Sequence, residues 1–211
     1  MLFRSKTQNT EAAHAVGDQF LKAHPFKPGT KPLTINLGEL KLNQTWRPTL
    51  SVTGLEGIPE LENAGNVRLP SVEVKLSFRL PPTVNPEEVI PVIKNTLEKN
   101  PPHGASVTFN VQDFGAGWEA PAEKAWLLEA GNKASQLYYQ KPMMLSGGGG
   151  SIPFMGMLGE KFPQAQFVIT GVLGPNSNAH GPNEFIHLGY AKKLTASIAY
   201  LLVNASRLNV R

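Results

Sequence analysis

The apolar positions along this chain change period several times, and each change marks a different kind of element. Between Thr10 and Lys22, the residues Ala12, Val16, Phe20 and Leu21 recur at helical spacing, which predicts one helix there. His24-Pro25-Phe26-Lys27-Pro28-Gly29 ends it in a loop, since proline lacks a backbone donor and glycine admits turn conformations. The rest of residues 1–48 carries little readable pattern. From Leu50 the period drops to two: Leu50-Ser51-Val52-Thr53-Gly54-Leu55 alternates, and a polar loop from Glu56 to Asn66 follows. The clearest strand is Val72 to Leu80. Val72, Val74, Leu76, Phe78 and Leu80 fall on one face, and Glu73, Lys75, Ser77 and Arg79 on the other. This predicts a half-buried strand with Arg79 on its open face.

Pro81-Pro82 stops that strand. Asn85-Pro86-Glu87-Glu88 then has the chemistry of a helix start: Asn as the cap, Pro at the first position, Glu three residues beyond the cap. The helix is expected to reach Glu98, with a kink near Pro91, and Ala105 to Val111 is expected to form another strand. Strand, strand, helix, strand describes a small α+β layer, an antiparallel sheet with helices on one face. Beyond it, Ala120-Pro121 opens a predicted helix carrying Trp126, Leu127, Ala130, Ala134 and Leu137. A glycine-rich loop, Ser146 to Ser151, leads into a short segment, Ile152 to Leu158. The apolar run Gln166 to Leu173 predicts a buried strand, and a last helix is expected over His187 to Leu202. That order suits the back half of an α/β domain. No internal repeat is visible.

Composition narrows the classes. The chain has 211 residues, 41% of them hydrophobic, which suits one sizeable core or two small ones. No apolar run approaches the ~20 residues of a membrane span, so no membrane partner is expected. Met-Leu-Phe-Arg at the start is too short for the apolar centre of a secretory signal. Cysteine is absent, which removes disulfides, thiolate nucleophiles and Cys-based zinc sites and fits an expected cytoplasmic location. The net charge of +4 is mild and scattered, so nucleic acid is not an expected partner. Carboxylates are 14 Glu and only two Asp, Asp18 and Asp113, so a metal site built from this chain alone would lack ligands.

Three places could carry chemistry. Four glycines ahead of a helix could present backbone N–H groups to an anion, although spacing alone favours a plain connector. The loop lacks a Walker lysine and the Gly-x-Gly-x-x-Gly spacing. His180 lies in a loop between a predicted buried strand and a helix, where α/β folds place ligands. A neutral imidazole there is a potential zinc ligand with Glu184 behind it, or else an ordinary surface histidine. Arg79 could hold a carboxylate through two parallel hydrogen bonds, or be an exposed strand arginine. With no Gly-x-Ser-x-Gly elbow, Ser-His-Asp catalysis is not expected.

Taken together, Leu76-Ser77-Phe78-Arg79-Leu80-Pro81-Pro82, Gly149-Gly150-Ser151-Ile152-Pro153 and Ala179-His180-Gly181-Pro182-Asn183-Glu184 resemble one family in order and spacing. It is the metallopeptidase family of aminoacylase, carnosine dipeptidase and succinyl-diaminopimelate desuccinylase. Thr45-Trp46-Arg47-Pro48 through Gly54-Leu55-Glu56-Gly57 is similar to its dipeptidase branch. The resemblance implies a two-zinc catalytic domain, with manganese or cobalt as substitute metals, interrupted by a lid that mediates homodimerisation. Residues 1–112 would be the lid and 113–211 the C-terminal part of an α/β catalytic domain. By the same resemblance His180 is the last zinc ligand and Arg79 the clamp for the substrate carboxylate. Asn66, Gly149, Gly150 and Ser151 would also contact the substrate, a dipeptide or N-acyl amino acid. The family's His-x-Asp motif is missing from the chain, and Glu87-Glu88 sits in a helix cap. No histidine occurs between Trp118 and Glu123, where dipeptidase relatives have one. The resemblance therefore implies a chain with no catalytic base of its own, inactive alone and part of a longer enzyme. A non-catalytic dimerisation or peptide-binding module is the alternative.

Overall fold

The structure is a computed structural model that describes residues 2–3, 5–24, 26–148, 153–174 and 176–208. After a two-residue strand β1 (Leu2–Phe3), helix α1 (Lys6–Val16) opens with a reciprocal cap. Gln8 N donates to Ser5 Oγ at 3.2 Å, and Ser5 N donates to Gln8 Oε1 at 3.0 Å. The single helix expected over Thr10–Lys22 is instead two. Gly17, at φ 59°, turns the chain, and α2 (Asp18–Lys22) starts afresh. Ala12 and Ala13 are buried while Val16 points outward, because the expected apolar stripe does not survive the turn. Helix α3 (Leu37–Thr45), which the apolar spacing did not predict, is capped by Asn36 Oδ1 accepting from Glu39 N at 3.1 Å. It packs on α1 at Gly38, where a Cβ would stand 2.7 Å from Thr10 Cγ2.

Strands β2 (Thr49–Glu56) and β3 (Glu73–Arg79) pair antiparallel, with Thr49 opposite Arg79 and Glu56 opposite Glu73. A bulge between Val52 and Gly54 interrupts the register. The alternation along β3 is as predicted, but its apolar face is largely uncovered; only Leu76 is half-buried. Helix α4 (Pro86–Glu98) has the predicted start, with Asn85 Oδ1 accepting from Glu87 N at 3.0 Å, and runs through Pro91 as one element.

The strand expected over Ala105–Val111 forms no ladder among the described residues. Phe109 N donates instead to Glu98 Oε1 at 2.7 Å, so a side chain takes the hydrogen bond a neighbouring strand would. The expected sheet is thus a two-stranded antiparallel pair. A second, parallel pairing joins β1 to β4 (Trp118–Glu119).

Helix α5 (Ala125–Tyr139) begins later than Ala120, at a point where Lys124 N donates to Gln166 Oε1 at 2.6 Å. Of the apolar residues on the predicted helix, Leu127, Ala130 and Ala134 are buried, whereas Leu137 is exposed. Helix α6 (Pro153–Lys161) follows the glycine loop. Helix α7 (Leu188–Ser206) packs against α5, and His187 caps it by accepting from Tyr190 N at 3.1 Å. Between α6 and α7, the strand expected over Gln166–Leu173 is absent. Val168 and Leu173 are about half exposed, and no strand among the described residues pairs with the run. A parallel strand of this kind takes its hydrogen bonds from neighbours. Phe167 does pack, edge-on against Trp118 at 5.0 Å, and the Trp118 indole lies over Gly159. The result is a mixed α/β chain, mostly helical, with its small core at α1–α3 and α5–α7.

Candidate substrate and metal site

His180 stands in a loop that bonds almost entirely to itself. Ser177, which is buried, donates from Oγ to Gly174 O at 2.7 Å and accepts Phe185 N at its carbonyl at 3.1 Å. Within that frame, Asn178 Nδ2 donates to Pro182 O at 2.6 Å and Gly181 N donates to Asn178 O at 2.9 Å. Glu184, expected behind the imidazole, instead accepts the His180 backbone N–H at 3.1 Å. It therefore fixes the backbone and not the ring. Asn176, Asn178, His180 and Asn183 all have positive φ, between 55° and 65°. Asparagine tolerates that region because its short side chain bonds locally; a histidine there is held by its surroundings. The consequence is an exposed imidazole on a fixed base.

Arg79 ends β3 opposite Thr49 and is exposed. Asn66, also exposed, lies on the connection that leaves and rejoins the pair at its other end, between Glu56 and Glu73. Both predicted substrate contacts thus belong to one hairpin, Arg79 to its second strand and Asn66 to its connecting loop. Gly149, Gly150 and Ser151 lie outside the described residues. Their neighbour Gly147 is described: it is buried, and its N–H donates to Asn9 Oδ1 at 2.8 Å. Asn9 was not anticipated from the sequence; its only local signal is the Ser5–Gln8 cap that begins its helix.

Among the described residues no three His, Cys, Asp or Glu side chains lie close enough together to hold a metal ion. His180 is thus a single donor, and the residues of this chain do not fit a complete zinc pair. The marked ionisation shifts fall on the helices. Burial lowers the Lys41 ammonium, Lys133 lowers Glu129 through a hydrogen bond, and burial beside Tyr190 raises the Tyr139 phenol.

The described residues thus form a mostly helical chain with a small antiparallel hairpin and an exposed loop histidine. Residues 6–105 match the peptidase dimerisation domain of the M20 family. Cysteinylglycine-S-conjugate dipeptidase of Corynebacterium striatum is 27% identical over 140 residues, 66% of this chain and 30% of that protein. An M20 family metallo-carboxypeptidase from Sulfolobus solfataricus superposes with TM-score 0.70 and 21% identity, over 96% of this chain and 46% of its own. Human carnosine dipeptidase 1 gives 0.66 and 22% identity, over 97% and 44%. The di-peptidase Dug1p of Saccharomyces cerevisiae gives 0.60 and 22%, over 81% and 36%. These structural likenesses establish the fold. The chain spans less than half the length of each of these relatives.

Proposed function

We propose that the complete protein hydrolyses the amide bond of a dipeptide or N-acyl amino acid at a zinc centre. In this reading residues 1–112 form the lid and 113–211 the C-terminal part of the catalytic domain. The observation that carries it is His180, exposed and held in left-handed backbone by a self-bonded loop, in a chain whose residues 6–105 match the M20 peptidase dimerisation domain. His180 is a zinc ligand, and Arg79 binds the substrate carboxylate through its planar fork of donors. Asn66, Gly149, Gly150 and Ser151 contact the rest of the substrate. Two zinc ions, with manganese or cobalt as substitutes, are the implied cofactors; the remaining ligands and the general base lie outside this chain. The protein is expected in the cytoplasm, in keeping with its lack of cysteine.

A homodimer belongs to the same reading, supported by the match of residues 6–105 to a peptidase dimerisation domain.

Two measurements test the proposal. The purified 211-residue chain should show no zinc-dependent dipeptide turnover, whereas the complete protein should, and His180→Ala should abolish it. Turnover by the isolated chain, or its survival in the complete H180A protein, would refute the reading, and a complete protein that is monomeric by light scattering would remove the dimer. A second reading, a non-catalytic dimerisation or peptide-binding module, draws on the absence of an assembled metal set among the described residues. DNA upstream of Met1 decides between them: an in-frame His-x-Asp and Glu-Glu favours the enzyme, a genuine start without them the module.

A further inference from the structure

We infer that the dipeptide Gly117-Trp118 is a positioning element that sets where Arg79 stands relative to helix α6. Arg79 is the last residue of β3, and Leu80-Pro81-Pro82 follows it. Consecutive prolines fix φ at their own positions and restrict the residue before each, so this connection is stiff. Val84 N donates to Pro81 O at 3.1 Å and closes the turn, and Pro82 is buried. Gly117 lies directly against that turn: a Cβ there would stand 2.6 Å from Pro82 O and 2.7 Å from Pro82 Cα. The next residue, Trp118, lays its indole over Gly159 of α6, where a Cβ would stand 2.6 Å from Nε1. The same ring meets Phe167 edge-on at 5.0 Å. Neither glycine has a positive φ, so both are required for close approach and not for conformation.

Backbone and a packed indole give way less readily than the end of a flexible side chain, and close-packed contacts transmit strain. A displacement at α6 therefore passes through Trp118 and Gly117 to Pro82, and along the two prolines to Arg79. A guanidinium that holds a carboxylate through two parallel hydrogen bonds depends on placement, and a shift of about 1 Å can cost as much as about 100-fold. Gly117 and Trp118 act through Arg79 and not on the substrate. The inference rests on the proposed carboxylate clamp at Arg79.

Two readouts separate its parts. In the 211-residue chain, Gly159→Ala presses a methyl against the indole. It should shift the Trp118 indole N–H resonance together with the amide resonances of Arg79, Leu80 and Thr83. Shifts confined to Trp118 and α6 would overturn the coupling. Trp118→Phe removes the part of the ring that Gly159 faces, so W118F and G159A should be clearly non-additive at those three amides; additive shifts would count against the same contact. In the complete protein, the comparison is between a dipeptide with a free C-terminal carboxylate and the same dipeptide as its C-terminal amide. Gly117→Ala and G159A should each raise KM for the acid by about 10-fold with kcat within about twofold, and leave KM for the amide within about twofold. W118F serves if G117A does not fold. A general loss of structure would move both substrates alike, so equal changes overturn the positioning role, as does an unchanged KM for the acid. Arg79→Ala is the control. If it discriminates acid from amide as the unaltered protein does, the clamp fails and this role with it, while the coupling is still decided by the resonance shifts.

Discussion

The backbone at His180 permits a direct test of whether the loop is strained for the sake of its imidazole. The residue sits at φ 62°, and its ring is exposed, so truncating the side chain removes little packing. An L-residue in left-handed conformation costs roughly 1–2 kcal/mol, a cost glycine escapes. Glycine in turn loses about 0.5–1 kcal/mol through its freer unfolded state. His180→Gly should therefore be more stable than His180→Ala by about 0.5–1 kcal/mol. The Glu184 bond is to backbone N–H and persists in both variants, so the comparison isolates conformation. Urea unfolding of the 211-residue chain measures the difference. Amide exchange at Gly181 and Phe185, whose N–H groups close the loop onto Asn178 and Ser177, locates it. Both variants remove the proposed zinc donor, so in the complete protein the more stable one should be as inactive as the other. If H180A equals or exceeds H180G in stability, the loop stores no strain at this position and the structural case for His180 fails.

Arg79→Lys keeps the charge but not the planar fork, and in the complete protein it should raise KM for a dipeptide by about 10-fold or more; an unchanged KM would remove the clamp. Gly57→Ala should destabilise the chain by at least about 2 kcal/mol. Gly57 is at φ 82°, and its added Cβ would meet the Ser71 carbonyl oxygen at 2.5 Å; a loss within the ordinary scatter of surface variants would contradict this. Lys41 tests the pH dependence. Burial holds its ammonium below the ordinary 10.5, so the folded state binds fewer protons than the unfolded one between its folded value and 10.5. Stability should therefore rise with pH through that window and level off above it. In Lys41→Met the rise attributable to this group should vanish, as read by urea unfolding from about pH 8 to 11.

Local chemistry was legible and pairing was not. The start of α4 could be read from Asn85-Pro86 because a cap is decided within four residues. The alternation of β3 and the existence of α5 followed from periodicity alone. Helix α3 escaped because Leu37, Leu40 and Leu42 make a weak stripe, although Asn36 caps it as Asn85 caps α4. The break at Gly17 escaped because a lone glycine within a helical pattern does not announce a positive φ. Asn9 could not have been found locally, since its partner lies 138 residues away. The site divides in the same way. The His180 loop is settled by bonds within about ten residues, whereas Gly149, Gly150 and Ser151 fall outside the described residues.

The two runs read as strands that lack a ladder share one physical cause. Both Ala105–Val111 and Gln166–Leu173 are apolar, and both leave large side chains such as Val107, Val111, Val168 and Leu173 exposed. The whole chain exposes 15645 Å². A compact monomer of its 22.9 kDa would expose roughly 9,600 Å². The difference is about 6,000 Å², so much apolar surface lies uncovered that a compact chain would bury. Nor does an isolated two-stranded hairpin hold its own shape in water, because it has no second layer to bury its apolar face. The uncovered face of β3 suits a second copy, in keeping with the dimerisation domain that contains it. The run at Gln166–Leu173 has no strand neighbour among the described residues, so its apolar side chains gain nothing from the cross-strand packing that would bury them.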